Sequence, residues 1–267
     1  MSTIIVVPCF NEAKRLNAAE FLRYARTSGP VRLLLVNDGS TDYTAEMLNG
    51  LRAKSGALDV LHLDTNGGKA EAVRRGFLHA LASGPKYVGY WDADLATPLD
   101  AIEDFVRTLD RRDDIDCVVG TRCKLLGRRV VRHPLRWMLG RTFAAVASRV
   151  LGLSIQDTQC GAKLFRVTEQ TSAAFAEPFT TGWIFDVEVL ARLINLHGSV
   201  ARVADKLYEQ PLDRWEDVPG SKLKPKHFVK AIGEMAAIYL RYLRPWGNRY
   251  HAAPPAVPVP APARRAA

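Results

Sequence analysis

The first half of the chain alternates short apolar, β-branched runs with longer segments of helical period. Residues 4–8 (IIVVP), 33–37 (LLLVN), 58–63, 86–91 (KYVGYW) and 116–120 (DCVVG) predict five strands. Between them, 12–27, 41–54, 69–82 and 99–109 have the length and period of helices. The run 38–42 (DGSTD) predicts a turn that caps the second of these. Strands alternating with helices imply βαβ units and a mostly parallel sheet, and near-continuous apolar strands imply helices on both of its faces. The expected fold class is therefore α/β, a Rossmann-like sheet sandwiched by helices.

The second half is less regular. Residues 135–151 predict a basic amphipathic helix, 160–165 a strand, 186–195 a helix and 200–207 another strand. A last amphipathic helix is expected over 225–243, with Lys222, Lys224, Lys226 and Lys230 near its start and Arg241 and Arg244 near its end. From His251 onward the chain is rich in Ala and Pro, a composition that buries no core and reads as disordered. The expected units are a main domain over 1–220, a basic amphipathic helix over 221–247 and a tail over 248–267. No internal repeat is visible.

Composition changes this picture little. The 267 residues are 48% hydrophobic and 24% charged, ordinary for one globular domain. Cys9, Cys117, Cys123 and Cys160 form no CxxC pair, so reduced thiols in a cytoplasmic setting are expected. The start, MSTIIVV, lacks the form of a secretory signal, and no run of 18 apolar residues occurs. Charge matters more. The formal charge is +9, which favours anionic partners, and between Cys117 and Gln156 there is no acidic residue while eight Lys or Arg occur. No zinc-ligand spacing or RNA-binding block accompanies it, so nucleic acid is not expected as a partner.

The chemistry gathers at strand ends. The fourth strand runs into Asp92-Ala93-Asp94, two carboxylates spaced i, i+2, and ligand sites of open parallel sheets lie beyond the carboxyl ends of strands. Such hard oxygen ligands suit Mg²⁺ or Mn²⁺ held jointly with substrate phosphates. A lone Asp-x-Asp is as a rule a solvated turn. Here three further strand ends carry polar groups: Pro8-Cys9-Phe10-Asn11-Glu12, Asn37-Asp38-Gly39-Ser40 and Asn66-Gly67-Gly68-Lys69. Four independent capping turns would be a coincidence.

Five blocks in order, 8–16 (PCFNEAKRL), 36–42 (VNDGSTD), 66–76 (NGGKAEAVRRG), 92–98 (DADLATP) and 156–166 (QDTQCGAKLFR) with 182–190 (GWIFDVEVL), resemble family 2 glycosyltransferases of the GT-A fold. The later blocks are similar to the polyprenyl-phosphate sugar transferases within it, and among those to the dolichyl-phosphate β-glucosyltransferase type; the dolichol-phosphate mannose synthases resemble the chain over the same span. The resemblance implies a nucleoside-diphosphate sugar donor and a catalytic domain over 1–220. It implies a base and ribose pocket from Pro8, Phe10, Glu12 and Asp38, with Gly68, Lys69 and Ala93 beside the nucleotide. Asp92 would contact ribose or metal, Asp94 would ligate the metal, and Asp157 is a candidate base. Trp183, Asp186 and Glu188 would face sugar or acceptor. Some mannose synthases carry a Gln as a further metal ligand two positions after the second Asp; here that residue is Ala96, which weakens the mannose reading.

The acid-free tract bears on the acceptor. Trp137, Met138, Leu139, Phe143 and Val146 interleave with its arginines, as in a helix lying on an anionic membrane surface. Arg122, Arg128, Arg132 and Arg136 offer forks for a lipid phosphate. The helix over 225–243 is expected either to join this surface or to pack on the domain. The functional expectation is an inverting hexosyltransferase acting on a polyprenyl phosphate, peripheral on the cytoplasmic face of a membrane and with room for a membrane-protein partner. Glucose from UDP-glucose is the first expectation. Mannose from GDP-mannose, or a saccharide hydroxyl as acceptor, is the alternative.

Overall fold

The computed structural model describes residues 2–131, 134–218 and 225–244, with side chains described throughout except at 134–136 and 225–229. The N-terminal half folds as the alternation predicts: β1 (Thr3–Cys9), α1 (Ala18–Thr27), β2 (Val31–Asp38), α2 (Thr44–Arg52), β3 (Leu58–Leu63), α3 (Lys69–Leu81), β4 (Tyr87–Trp91), α4 (Ala101–Arg111) and β5 (Cys117–Thr121). There follow β6 (Arg129–Val131), α5 (Pro134–Leu151), β7 (Ala162–Arg166), α6 (Glu169–Ala174), α7 (Phe185–His197), α8 (Val200–Lys206), β8 (Leu207–Pro211), β9 (Arg214–Glu216) and α9 (Pro225–Ile238). A π-helical turn (Tyr239–Leu243) ends the described chain.

Seven strands form one sheet in the order β3-β2-β1-β4-β7-β5-β8. All neighbours run parallel except β7, which is antiparallel to both β4 and β5. Strand order reverses between β1 and β4, each a first neighbour of the other, so their carboxyl ends open the crevice where such sheets bind ligands. Two cores cover the two faces. On one, α3, α5, α7 and α9 pack through Phe77, Ala147, Leu190 and Met235. On the other, α1, α2 and α4 pack through Phe21, Leu48 and Phe105. This two-sided coverage is why every residue of β4 and β5 is buried.

Two elements differ from expectation. Residues 200–207 form a helix, α8, not a strand: Gly198 ends α7 in the left-handed region at φ 76°, and Ser199 caps the next helix by accepting from the Arg202 N–H. Val200 and Val203 mimic a strand, but the local cap prevails, and the strand begins only at Leu207. The second departure is the parallel pair β6–β9, whose two three-residue strands are too short to carry a period. The C-terminal helix takes one of its two expected placements and packs on the domain. Ala231, Met235, Ile238 and Tyr242 enter the core, while Ile232, Tyr239 and Leu240 face solvent. The expected boundary at 220/221 and the tail over 248–267 lie outside the described residues. No helix among the described residues is long and apolar enough to cross a membrane.

Candidate active site

The fully buried Trp91 ends β4 and stacks edge-on against Phe105 at 5.1 Å, and its Nε1 donates to the Thr97 carbonyl at 2.9 Å. That bond folds residues 92–97 back over the strand end and presents both acids. Asp92 accepts an ion pair from Lys69 Nζ at 2.5 Å, and its N–H donates to the Gly161 carbonyl at 3.0 Å. A Cβ at Gly161 would stand 1.9 Å from Asp92 Oδ2, so any side chain there would displace the Asp92 carboxylate. Ala93 is buried and supplies backbone only. Asp94 faces solvent, with Oδ1 accepting the Ala96 N–H at 3.1 Å. The residue after it, Leu95, sits at φ 55°; it and Asn11 (φ 52°) are the non-glycine residues of positive φ among the described residues, and both border this edge. Left-handed backbone at a leucine costs on the order of 1 kcal/mol, strain of the kind that collects at functional sites.

The electrostatics ask for a cation. The surrounding protein thins the water around Asp94 and Asp92 repels a second charge, so the Asp94 pKa is raised although Lys69 and Arg15 pull against this. Burial would lower the Lys69 pKa, but Asp92, Asp186 and Asp94 outweigh it and raise it. No group of three His, Cys, Asp or Glu fit to hold a metal occurs among the described residues. Two carboxylates, one with a free oxygen, suit Mg²⁺ or Mn²⁺, which complete their shells from substrate phosphate and water.

The ends of β1 and β2 close the other side of the crevice. Pro8 and Phe10 are half-buried there. Asn11 N–H donates to Ser40 Oγ and Asn11 Oδ1 accepts the Thr41 N–H, lacing the two loops together. Glu12 is buried, bonded through its N–H to Thr44 Oγ1 and through its carboxylate bidentately to Arg15. Asp42 braces the same loops by accepting from Thr44 and Ala13. Asp38, expected in the nucleoside pocket, accepts the Gly67 and Gly68 N–H groups on its two oxygens at 2.8 and 2.9 Å. Burial raises its pKa against those two bonds. These two bonds hold the turn from which α3 presents Lys69.

The later candidates lie elsewhere than expected. Asp157 is no free base: Arg122 donates to it from Nε at 2.6 Å and Nη2 at 2.7 Å, and the Arg122 N–H adds a third bond. The Arg122 guanidinium also lies 5.2 Å from the Trp215 ring of β9. Arg128 is engaged too, by the Pro211 carbonyl and by Asp213. Arg132 and the side chain of Arg136 lie outside the described residues. Trp183 is half-buried against Phe143 of α5 at 5.8 Å. Asp186 is buried, accepting from Tyr90 Oη and Lys163 Nζ, each at 2.5 Å. Glu188 does not face a substrate: it is fully buried, receiving Arg192, Tyr242 and the N–H and hydroxyl groups of Thr180 and Thr181. It staples the loop before α7 to the C-terminal π turn. Cys160, in the 157–161 turn, is no nucleophile: burial pushes its thiol up to about 11.

Gly161, Arg15 and Lys163 also belong to this edge, and the sequence reading did not single them out as site residues. Gly161 had a signal, a glycine near the start of a predicted strand. Lys163 had one as well, a lone charge inside an apolar strand. Arg15 had none beyond its place after Glu12.

A doubly covered, mostly parallel sheet with paired acids, a lysine and glycine turns at its carboxyl edge defines an enzyme of the nucleotide-dependent transferase kind. The family model for glycosyl transferase family 2 matches residues 4–169, and the chain belongs to that family. It is 32% identical over 253 residues to a dolichyl-phosphate β-glucosyltransferase of Trichomonas vaginalis, covering 90% of this chain and 72% of the relative. The enzymes of that name from Drosophila melanogaster (32% over 256 residues, 90% and 74% covered) and Homo sapiens (29% over 255, 90% and 75%) are similar to it. Among solved structures, the glucosyl-3-phosphoglycerate synthase of Mycobacterium tuberculosis in complex with Mn²⁺, UDP and glucosyl-3-phosphoglycerate shares the fold at TM-score 0.62 and 18% identity, covering 90% of this chain and 78% of that one. The protein is a glycosyltransferase of GT-A fold.

Proposed function

We propose that the protein transfers glucose from UDP-glucose to a polyprenyl phosphate at a membrane surface, inverting the anomeric centre. The observation that carries this reading is the likeness to dolichyl-phosphate β-glucosyltransferases over nine tenths of the chain. Charge and exposure support the acceptor. The open face of α5 carries Trp137, Met138 and Val146 together with Arg141 and Arg149, and Leu125 and Leu126 project just before β6. The turn Tyr239–Leu243, which packs beside α5, exposes Tyr239 and Leu240. Apolar side chains among arginines suit an anionic lipid surface, where each cation contributes about 1 kcal/mol.

Asp94 and Asp92 would hold Mg²⁺ or Mn²⁺, which when bound neutralises charge on the donor diphosphate. Lys69 adds a second positive charge at the same edge, fixed by Asp92 and by the turn that Asp38 holds. A phosphate monoester has its second pKa near ~6 and is mostly dianionic at neutral pH, so it attacks without a general base. Asp157, committed to Arg122, accordingly serves to orient that guanidinium.

The test is product formation from labelled UDP-glucose and GDP-mannose, each with dolichyl phosphate and Mg²⁺, counted in the organic phase. Label from UDP-glucose alone is expected. Label from GDP-mannose alone would overturn the sugar, and nucleotide release with no lipid label would overturn the acceptor.

A further inference from the structure

Lys163 is a lysine in the middle of the sheet, 1% exposed, paired across the strands with Tyr90. A buried ammonium is costly unless its donors are all met. Here the three N–H groups have three acceptors: the Thr158 carbonyl at 3.0 Å, the Cys160 carbonyl at 2.7 Å and Asp186 Oδ1 at 2.5 Å. Tyr90 donates its hydroxyl to the same carboxylate oxygen, and its ring lies 5.3 Å from the ammonium. Asp186 is close enough to Lys69 to raise its pKa.

Two of those acceptors are main-chain carbonyls of one turn, residues 157–161. One end of that turn carries Asp157 on Arg122. The other end is Gly161, whose carbonyl takes the Asp92 N–H and whose missing Cβ leaves room for the Asp92 carboxylate. The turn is thus the wall against which Asp92 rests, and Lys163 is what ties its middle down.

We propose that Lys163 is a positioning residue for the transfer reaction: by anchoring the 157–161 turn from beneath, it sets the place of Asp92 and so of the metal and diphosphate site. The proposal rests on the donor-site reading above. A merely structural ion pair predicts something different, because a buried pair replaced on both sides costs little while one orphaned partner costs much.

The experiment is therefore the double variant Lys163→Met with Asp186→Asn, which removes both charges and keeps an acceptor for Tyr90. Three quantities are read: Tm, Kd for UDP with Mn²⁺ by calorimetry, and hydrogen exchange of the Asp92 amide. The expected result is a Tm within a few degrees of the parent, a Kd at least tenfold weaker, and an Asp92 amide exchanging at least tenfold faster with β2 amides unchanged. Parental affinity and parental Asp92 exchange in the folded variant would overturn the proposal. If the parent itself bound no UDP with Mn²⁺, the donor-site reading would fall, while Asp92 exchange would still decide the role of Lys163. Should the double variant not fold, Lys163→Arg, which keeps the charge and moves the donors, is read in the same ways.

Discussion

Replacing Asp94 by alanine lowers sugar transfer by about 10²–10³-fold, the usual loss when one group that stabilises transition-state charge is removed. The side chain faces solvent and, among the described residues, accepts one hydrogen bond, from the Ala96 N–H two residues on. Stability should therefore change by no more than ~0.5 kcal/mol, as for other surface positions. Raising the Mg²⁺ or Mn²⁺ concentration recovers part of the rate if the defect is metal affinity. Steady-state kinetics across a metal titration, with a melting curve on the same sample, check both halves. Near-parental rates in Asp94→Ala would remove the carboxylate from the mechanism.

The largest effect on stability is expected at Glu188→Ala, about 3–5 kcal/mol, the range for orphaning one member of a buried ion pair. Arg192 would be left charged at 0% exposure, still bonded to the Ala174, Glu177 and Pro178 carbonyls but without its counter-charge. The same change releases Thr180, Thr181 and Tyr242, loosening the π turn from α7. Burial alone would raise the Glu188 pKa, yet Arg192, the Thr180 N–H and the Tyr242 and Thr181 hydroxyls outweigh it and the net shift is downward. A carboxylate depressed in the folded state stabilises above its unfolded pKa and loses that contribution as pH falls through the folded one. The stability difference between parent and Glu188→Ala should hold at neutral pH and shrink only below the ordinary glutamate range. Denaturant melts at neutral and acidic pH read this. A difference that stayed constant into acid would mean the Glu188 charge contributes nothing.

Much of this was legible along the chain. The strands through β5 and the helices between them follow from period and apolar content, and Asp92, Asp94 and Lys69 fall at strand and helix ends where topology puts a crevice. What periodicity does not encode is which side chains face each other across the sheet. Asp186 and Glu188 stand two residues apart at the start of α7, and both look like site acids near a tryptophan. Only the packing of α7 over β4 and β7 turns Asp186 onto Lys163, and only the return of the C-terminal helix brings Tyr242 to Glu188. Asp38 is ambiguous in sequence for a related reason. An acid after a strand is equally suited to a ligand or to two backbone N–H groups, and the Gly67-Gly68 turn that claims it lies 29 residues away. The antiparallel insertion of β7 between β4 and β5 is likewise a long-range fact with no local signature.

The edge where Asp92, Asp94 and Lys69 meet is the centre of the proposed chemistry, and a crystal grown with UDP and Mn²⁺ and measured for manganese anomalous scattering tests it most directly. The predicted result is a single manganese peak in coordination contact with an Asp94 carboxylate oxygen and with the UDP phosphates, and Lys69 within reach of the same diphosphate. A manganese peak away from Asp94 with UDP bound, or UDP lodged elsewhere than the β1–β4 crevice, would contradict it.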